Sequence, residues 1–103
     1  MTKLRELAKV IRSKNAGALL LTLDIMFEDK STYDHVCNSG ALSPRVLAHI
    51  YNVGDNQIEV ISFDVALAIK ITLPRAIPAG SPGDSDVYGA QQHAPLMDIE
   101  IPI

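Results

Sequence analysis

The segment from Gln57 to Pro74, "QIEVISFDVALAIKITLP", limits the fold of this chain more than any other feature, because apolar residues occupy every second position over most of its length. A period of two predicts β-structure. It fits either one long bent strand or a hairpin that turns near Asp64 to Ala66. Strands of about five or six residues are the commonest, so the pattern favours the hairpin. The apolar positions are Ile61, Phe63, Val65, Leu67, Ile69, Ile71 and Leu73.

Two other segments give clear secondary-structure signals. "ALLLTLDIMFE" alternates from Leu19 to Phe27, which predicts a strand with one apolar face. "LSPRVLAHIYNVGD" predicts a helix that Ser43 caps, with Pro44 at the first helical position, where its missing N–H costs nothing, and with Gly54 at the end.

Three weaker segments complete the order of elements. "TKLRELAKVI" places Leu4, Leu7, Ala8 and Ile11 at helical spacing, which predicts a helix beginning at Thr2. A second short helix begins at Ser31 and stops at Gly40. The last segment, "PLMDIEIPI", alternates and predicts a terminal strand.

This order predicts an α+β fold, namely a ferredoxin-like sandwich. We expect an antiparallel or mixed sheet of about four strands, helices on one face, and a long Pro/Gly-rich loop before the last strand. A chain of 103 residues has room for one hydrophobic core, so the whole of 1–103 is expected to form a single domain.

The net charge, the apolar runs and the cysteine count indicate which kinds of partner and compartment to expect. The net charge of −3 argues against nucleic-acid binding, which needs a basic patch. No apolar run approaches the length that crosses a bilayer, and the N-terminal segment has no apolar signal-peptide core. A single cysteine cannot form an internal disulfide. We therefore expect a cytoplasmic protein with neither a nucleic-acid nor a membrane partner.

The second face of the predicted sheet is small and polar, with Leu20 and Met26 as its larger apolar members. Two interpretations remain open: a solvated face, or a flat interface for another subunit to which Ala66 and Ala68 allow close approach. The residues assigned to this face are Thr22, Asp24, Ser62, Asp64, Ala66, Ala68 and Lys70.

The segment from Gly80 to Pro95, "GSPGDSDVYGAQQHAP", combines prolines and glycines with hydrogen-bonding side chains. Loops on rigid scaffolds often carry binding residues. One interpretation is a loop that only covers the sheet, with Asx turns at its aspartates. A second is a divalent metal site formed by Asp84, Asp86 and His93. A third is docking on another protein, with polar groups supplied to a shared pocket. The candidate binding residues are Asp84, Asp86, Tyr88, Gln91, Gln92 and His93.

Other motifs carry weaker signals. "RSKNAG" could hold an anion through Arg12, Lys14 and Asn15, although a charged helix end followed by a turn explains the same residues. Cys37 reads as a buried, inert thiol. The sequence has no Gly-rich phosphate loop, no Ser-His-Asp set and no zinc-ligand spacing, so no catalytic residue is assigned and no cofactor is expected.

Three blocks resemble the bacterial family catalogued as domain of unknown function 4387. They are "LRELAKVIRSKNAG", "FDVALAIKITLPR" and "GSPGDSDVYGAQQHAPLMDIEI", of which "GDSDVYGAQQHAP" is the most specific. The resemblance spans nearly the whole chain.

A more distant resemblance links the chain to the C-terminal ferredoxin-like domain of AtuA-type (acyclic terpene utilisation) proteins. It runs through Leu4 to Gly17, "LSPRV" and "LMDIEI"; "RSKNAG" departs from the more acidic turn of that domain. The small family tends to be encoded beside AtuA-type proteins. The resemblance therefore implies a separate subunit that does what the fused domain does elsewhere.

These observations lead to one main hypothesis and two alternatives. The main hypothesis is a non-catalytic accessory subunit that binds an AtuA-type enzyme of organic acid or acyl thioester metabolism. One alternative is an autonomous small enzyme or metal protein that uses the loop of residues 84–93. The other is a self-associating module whose sheet faces pair in a homo-oligomer such as a homodimer.

Overall fold

A four-stranded antiparallel sheet organises the computed structural model of this chain, which describes residues 2–17, 19–74 and 94–102. The strands are β1 (Thr2–Lys3), β2 (Val10–Asn15), β3 (Leu20–Met26), β4 (Glu59–Phe63), β5 (Ala68–Pro74) and β6 (Glu100–Ile101). The helices are α1 (Leu4–Leu7), α2 (Lys30–Ser39), α3 (Pro44–Tyr51) and α4 (Ala94–Met97), with 3₁₀ turns at Asp55–Gln57 and Asp64–Ala66.

The large sheet has the order β2-β3-β5-β4, and every neighbouring pair in it is antiparallel. The helical segment α2–α3 connects β3 to β4, and β5 returns between these two strands. Strands, a helical crossover and an inserted antiparallel strand are the elements of a split βαβ unit. The predicted α+β class is therefore confirmed, and the architecture is compatible with a ferredoxin-like sandwich.

The hairpin predicted within Gln57–Pro74 is present, but the faces of its first strand are reversed relative to the prediction. The register pairs Phe63 with Ala68 and Ser62 with Ile69. Residues directly opposite in an antiparallel pair share a face. Because the turn pairs odd with even positions, Ser62 lies on the face of Ile69, and Ile61 and Phe63 lie on the face of Lys70 and Ala68.

The core lies between the large sheet and the helices on one of its faces. Alternate residues of β3 and β5 are buried together with side chains of α2, α3 and their connection. The principal members are Leu21, Leu23, Ile25, Ile69, Ile71, Leu73, Tyr33, Val36, Leu42 and Leu47. The buried positions of β3 are those that its sequence predicted. The second face of the sheet is therefore the one opposite the helices.

The two larger helices begin and end at residues suited to those positions. Ser43 accepts a hydrogen bond from the backbone N–H of Val46, and Pro44 takes the first helical position, as predicted. The cap of helix α2 lies two residues earlier than predicted, because Asp29 and not Ser31 is the cap and accepts from the N–H of Thr32. This backbone hydrogen bond lowers the pKa of Asp29.

The helix predicted from Thr2 to Ile11 is wrong beyond Leu7, and Thr2 is not its cap. Thr2 lies in β1, α1 is a single turn, and β2 begins at Val10. Ile11 pairs with Ile25 and Ser13 with Leu23, so β2 forms a hairpin with β3. Residues 10–15 therefore form a strand although their sequence also fits a helix. Pairing with β3 stabilises the strand over the helix.

The terminal strand is shorter than predicted and does not join the large sheet. Ala94 to Met97 form a helical turn, and β6 pairs with β1, Thr2 lying opposite Ile101. Leu4, Leu96 and Ile101 are fully buried in the common core. His35 of α2 also hydrogen-bonds the carbonyl of Pro102, which ties the C-terminal segment to the helical layer.

None of the helices in the described ranges combines the length and apolar character that a bilayer span requires.

Candidate functional site

The predicted loop residues Asp84, Asp86, Tyr88, Gln91, Gln92 and His93 lie outside the described residues. Their roles in binding, and the metal set of Asp84, Asp86 and His93, stay predictions from the sequence. Among the residues that the structure describes, no group of three or more His, Cys, Asp or Glu side chains could hold a metal ion.

Arg12, Lys14 and Asn15, the other predicted binding residues, all lie on β2, where a strand replaces the predicted helix end. Because neighbouring strand residues point to opposite faces, Arg12 and Lys14 lie on the second face and Asn15 on the helical face. Arg12 Nε lies 3.4 Å from Asp24 Oδ2, so part of its charge is already paired. The structure therefore brings two of the three residues together.

The second face of the sheet consists of rows of side chains that run across the strands. One row is charged at three of its four positions: Arg12, Asp24 and Lys70, followed by Ile61. The next row towards the β4–β5 turn is apolar throughout. It contains Val10, Met26, Ala68 and Phe63, and we call it the apolar row.

The two end residues of the apolar row are exposed to solvent. Val10 is 37% exposed and Phe63 is 46% exposed, whereas Met26 and Ala68 between them are half-buried. Farther along the same face Thr22 is buried, and its hydroxyl donates to the carbonyl of Lys14 at 3.4 Å. Leu20, which is 44% exposed and lies opposite Pro74, adds an exposed apolar side chain at the end of this face away from the β4–β5 turn.

That turn carries a further apolar side chain, because Val65 at its tip is fully exposed. Two features hold the turn in place. The hydroxyl of Tyr33 donates to Asp64 Oδ1 at 2.7 Å. Leu67, with φ of 50°, adopts the left-handed conformation, and its carbonyl accepts from the N–H of Phe27 at 2.9 Å. A non-glycine residue in this conformation is strained, so the turn is held by its surroundings.

Burial raises the pKa of Tyr33, and the hydrogen bond to Asp64 raises it further. The phenol therefore remains protonated and donates to the carboxylate throughout the neutral range. Its ring also packs edge-on against Phe27, with centroids 6.0 Å apart. These contacts position the turn from the helical side of the sheet.

On the helical face, a cleft of about 210 Å³ lies between β4 and the ends of α2 and α3. Cys37 and Ser62 line it, with Sγ and Oγ 3.9 Å apart. The prediction of a buried Cys37 is wrong, because the side chain is exposed at the cleft. Sequence reasoning missed the cleft since it placed Ser62 on the opposite face. The remaining lining residues are Val36, Gly40, Leu42, Ser43, Pro44, Val60 and Ile69.

The fold and surface define an α+β domain that presents an apolar row on the sheet face opposite its helices and an exposed hairpin turn at the end of that row. The family profile of the domain of unknown function 4387 matches residues 4–100, so the chain belongs to that family. Neither the curated protein sequences nor the solved structures compared with the chain contain a match to it.

Proposed function

We propose that this chain is a non-catalytic accessory subunit that binds a larger protein through the apolar row and the adjoining turn. The observation that carries the proposal is the exposure of Val10 and Phe63 on the face of the sheet opposite the core, with Val65 also exposed at the adjoining turn. Contiguous exposed apolar surface on a small domain is typical of protein–protein interaction sites.

The free energy available from burying the exposed apolar side chains indicates how large the interface must be. Complete burial of one aliphatic or aromatic side chain contributes about 1.5–3 kcal/mol. Scaled by the exposed fractions of Val10, Ile61, Phe63 and Val65, burial contributes roughly 3–7 kcal/mol. Loss of translational and rotational freedom costs about 4–15 kcal/mol. The partner must therefore also contact the charged row beside it, where Arg12, Asp24 and Lys70 would give orientation.

The resemblance to the C-terminal domain of AtuA-type proteins supports the class of the partner. We propose an AtuA-type enzyme of organic acid or acyl thioester metabolism, with this chain in the position of the fused domain. In the assembled pair, the residues of the segment Asp84–His93 would contribute polar groups to a pocket shared by both subunits.

Co-purification with an AtuA-type protein encoded beside this chain tests the proposal. Val10 and Val46 offer a matched pair of variants, because both are valines with 37% exposure, one on the second face and one on α3. Val10→Glu is expected to weaken binding at least tenfold, and Val46→Glu to leave it within twofold. Elution of the two wild-type proteins as separate species at micromolar concentration would contradict the proposal, as would equal effects of the two substitutions.

A further inference from the structure

The main-chain groups at the outer edge of β4 can be assigned from the hydrogen bonds of the sheet. The N–H of Ala16 donates to the carbonyl of Leu20, and the N–H of Phe27 to that of Leu67. Along a strand, the N–H and C=O of one residue point to the neighbour on one side, and those of the next residue point to the other side. Following this alternation across the sheet, Glu59, Ile61 and Phe63 bond to β5. The N–H and C=O of Val60 and Ser62 therefore point away from the sheet.

No described strand pairs with this outer edge, because β4 is the end strand of the sheet. Natural edge strands are usually blocked by lysine, proline or a bulge. The sequence of β4, "EVISF", contains none of these residues, and its register with β5 is continuous. The other end strand, β2, carries Arg12 and Lys14 on its exposed face. The two edges thus differ, and β4 is the one open to strand addition.

We propose that two copies of this chain pair antiparallel through β4, with Ile61 of one copy directly opposite Ile61 of the other. The two four-stranded sheets would then form one continuous eight-stranded sheet. This inference stands apart from the proposed accessory function, since it requires no second protein.

The direction of the main-chain groups limits the register to those in which even-numbered residues of the two copies are paired. With Ile61 on the two-fold axis, Val60 of each copy lies opposite Ser62 of the other, and these are the residues whose N–H and C=O point outward. Both then donate and accept across the pair. Moving the axis to Ser62 would bring the 3₁₀ turn at Asp64 into the ladder and lose bonds. Moving it to Val60 would instead place the buried Ile58 opposite Ser62 of the other copy and would bring Ile61 opposite Glu59.

The side chains match in the same register. Ile61, which is 39% exposed, meets its counterpart on the second face. Phe63 lies opposite Glu59 and diagonally beside Ile61 of the second copy, a distance at which aromatic side chains still make contact. No two like charges are directly opposite, because the two Glu59 residues are about 13 Å apart along the strands. Charge therefore permits the pairing of β4 with itself.

The other end strand, β2, is a less suitable pairing partner for β4. The residues of β2 whose main chain points outward by the same alternation are Ile11, Ser13 and Asn15, and Lys14 lies between them, which opposes strand addition. The contact through β4 is limited to a short strand and the apolar side chains beside it. Interfaces below about 1,200 Å² in total are typical of weak association, so we expect a micromolar dissociation constant or weaker.

Disulfide trapping tests the register. Ile61 faces its counterpart in a non-hydrogen-bonded pair, where Cα atoms lie about 4.5 Å apart, within the range that a disulfide spans. Ile61→Cys in a Cys37→Ala background is expected to give a reducible dimer on mild oxidation. Phe63→Cys in that background is the matched control. It lies on the same face with similar exposure, but its counterpart is about 13 Å away. Its dimer yield should be at least tenfold lower.

Sedimentation equilibrium of the purified chain alone tests the association without a disulfide. The average mass of the wild type should rise towards twice the monomer mass as concentration increases to the millimolar range. Ile61→Lys should raise the dissociation constant at least tenfold, whereas Val10→Lys, a matched substitution on the other end strand, should leave it within twofold. A wild type that stays monomeric at 1 mM overturns the proposal, as does a dimer trapped equally well by Phe63→Cys.

Disulfide trapping and sedimentation equilibrium both use this chain alone. A negative result in them would therefore not contradict the proposed binding of a larger partner. Failure of the co-purification would likewise leave the β4 pairing standing.

Discussion

Tyr33 donates a 2.7 Å hydrogen bond to Asp64 and thereby joins the helical layer to the hairpin turn 31 positions farther along the chain. The tyrosine is almost completely buried in α2, and Asp64 begins the 3₁₀ turn that ends in the strained Leu67. Both proposed surfaces, the apolar row and the β4 edge, end at this turn. Its position relative to the sheet therefore governs how both are presented.

Tyr33→Phe should lower the free energy of unfolding by about 1–2 kcal/mol, because it removes one hydrogen bond to a charged group while the ring remains packed against Phe27. Urea denaturation of Tyr33→Phe, Asp64→Ala and the double variant measures the interaction as a thermodynamic cycle. We expect a coupling of about 1 kcal/mol. A coupling near zero would show that the bond contributes nothing to stability.

Alkaline pH should destabilise the chain. Burial raises the pKa of both Tyr33 and Tyr51 above the usual tyrosine value of about 10, with the bond to Asp64 adding to the effect at Tyr33. Above that pH the unfolded chain loses these protons while the folded chain keeps them. The stabilising contribution is therefore complete below pH 10 and falls as pH rises.

Denaturation at a series of pH values from 8 to 11 measures this loss. The slope of unfolding free energy against pH should be smaller in Tyr33→Phe than in the wild type, by at most about one bound proton. Equal slopes in the two proteins would contradict the assignment.

The C-terminal segment should contribute to stability through Leu96, which is fully buried in the common core. Leu96→Ala is expected to cost about 2–5 kcal/mol, since it leaves a cavity in addition to removing apolar contacts. Leu19→Ala is the control, because Leu19 is 61% exposed and its truncation should cost less than about 0.5 kcal/mol. Similar thermal unfolding of the two variants would mean that the segment does not pack against the core.

Asn52 ends α3 in the left-handed conformation, with φ of 55°, and its side chain is exposed. Glycine adopts this conformation without the contact between Cβ and the carbonyl oxygen. Asn52→Gly should therefore leave stability unchanged or raise it by up to about 0.5 kcal/mol, and Asn52→Ala should lower it by about 1 kcal/mol. Thermal denaturation of the pair checks the sign, and a more stable alanine variant would contradict the prediction.

The parts of the fold that were predictable are those whose local signals agree with their tertiary contacts. Alternation in β3 and the Ser43–Pro44 start of α3 are of this kind. At the N-terminus the signals conflict, because Leu4, Leu7 and Ile11 fit a helix while Ile11 and Ser13 also fit a buried strand face. Pairing with β3 decides for the strand, and a single sequence contains no information about which partner will be available.

The candidate surface was only partly predictable for a similar reason. The second face was recognised as a potential interface, but its apolar content was underestimated because Ile61 and Phe63 were assigned to the core side. Continuous alternation does not show where a turn exchanges the two faces. The register Phe63 to Ala68, which the turn geometry sets, supplies that information.

The ladder of β1 and β6 joins Thr2 to Ile101, the two ends of the described chain. Contacts of such large sequence separation form slowly because a long loop must close first, whereas the β2–β3 and β4–β5 hairpins need only short loops. The ladder is therefore expected to assemble after the main sheet, and the amides of residues 2–3 and 100–101 should exchange with solvent earlier than those of β3 and β5. The last step of folding would be the closure of the chain on itself.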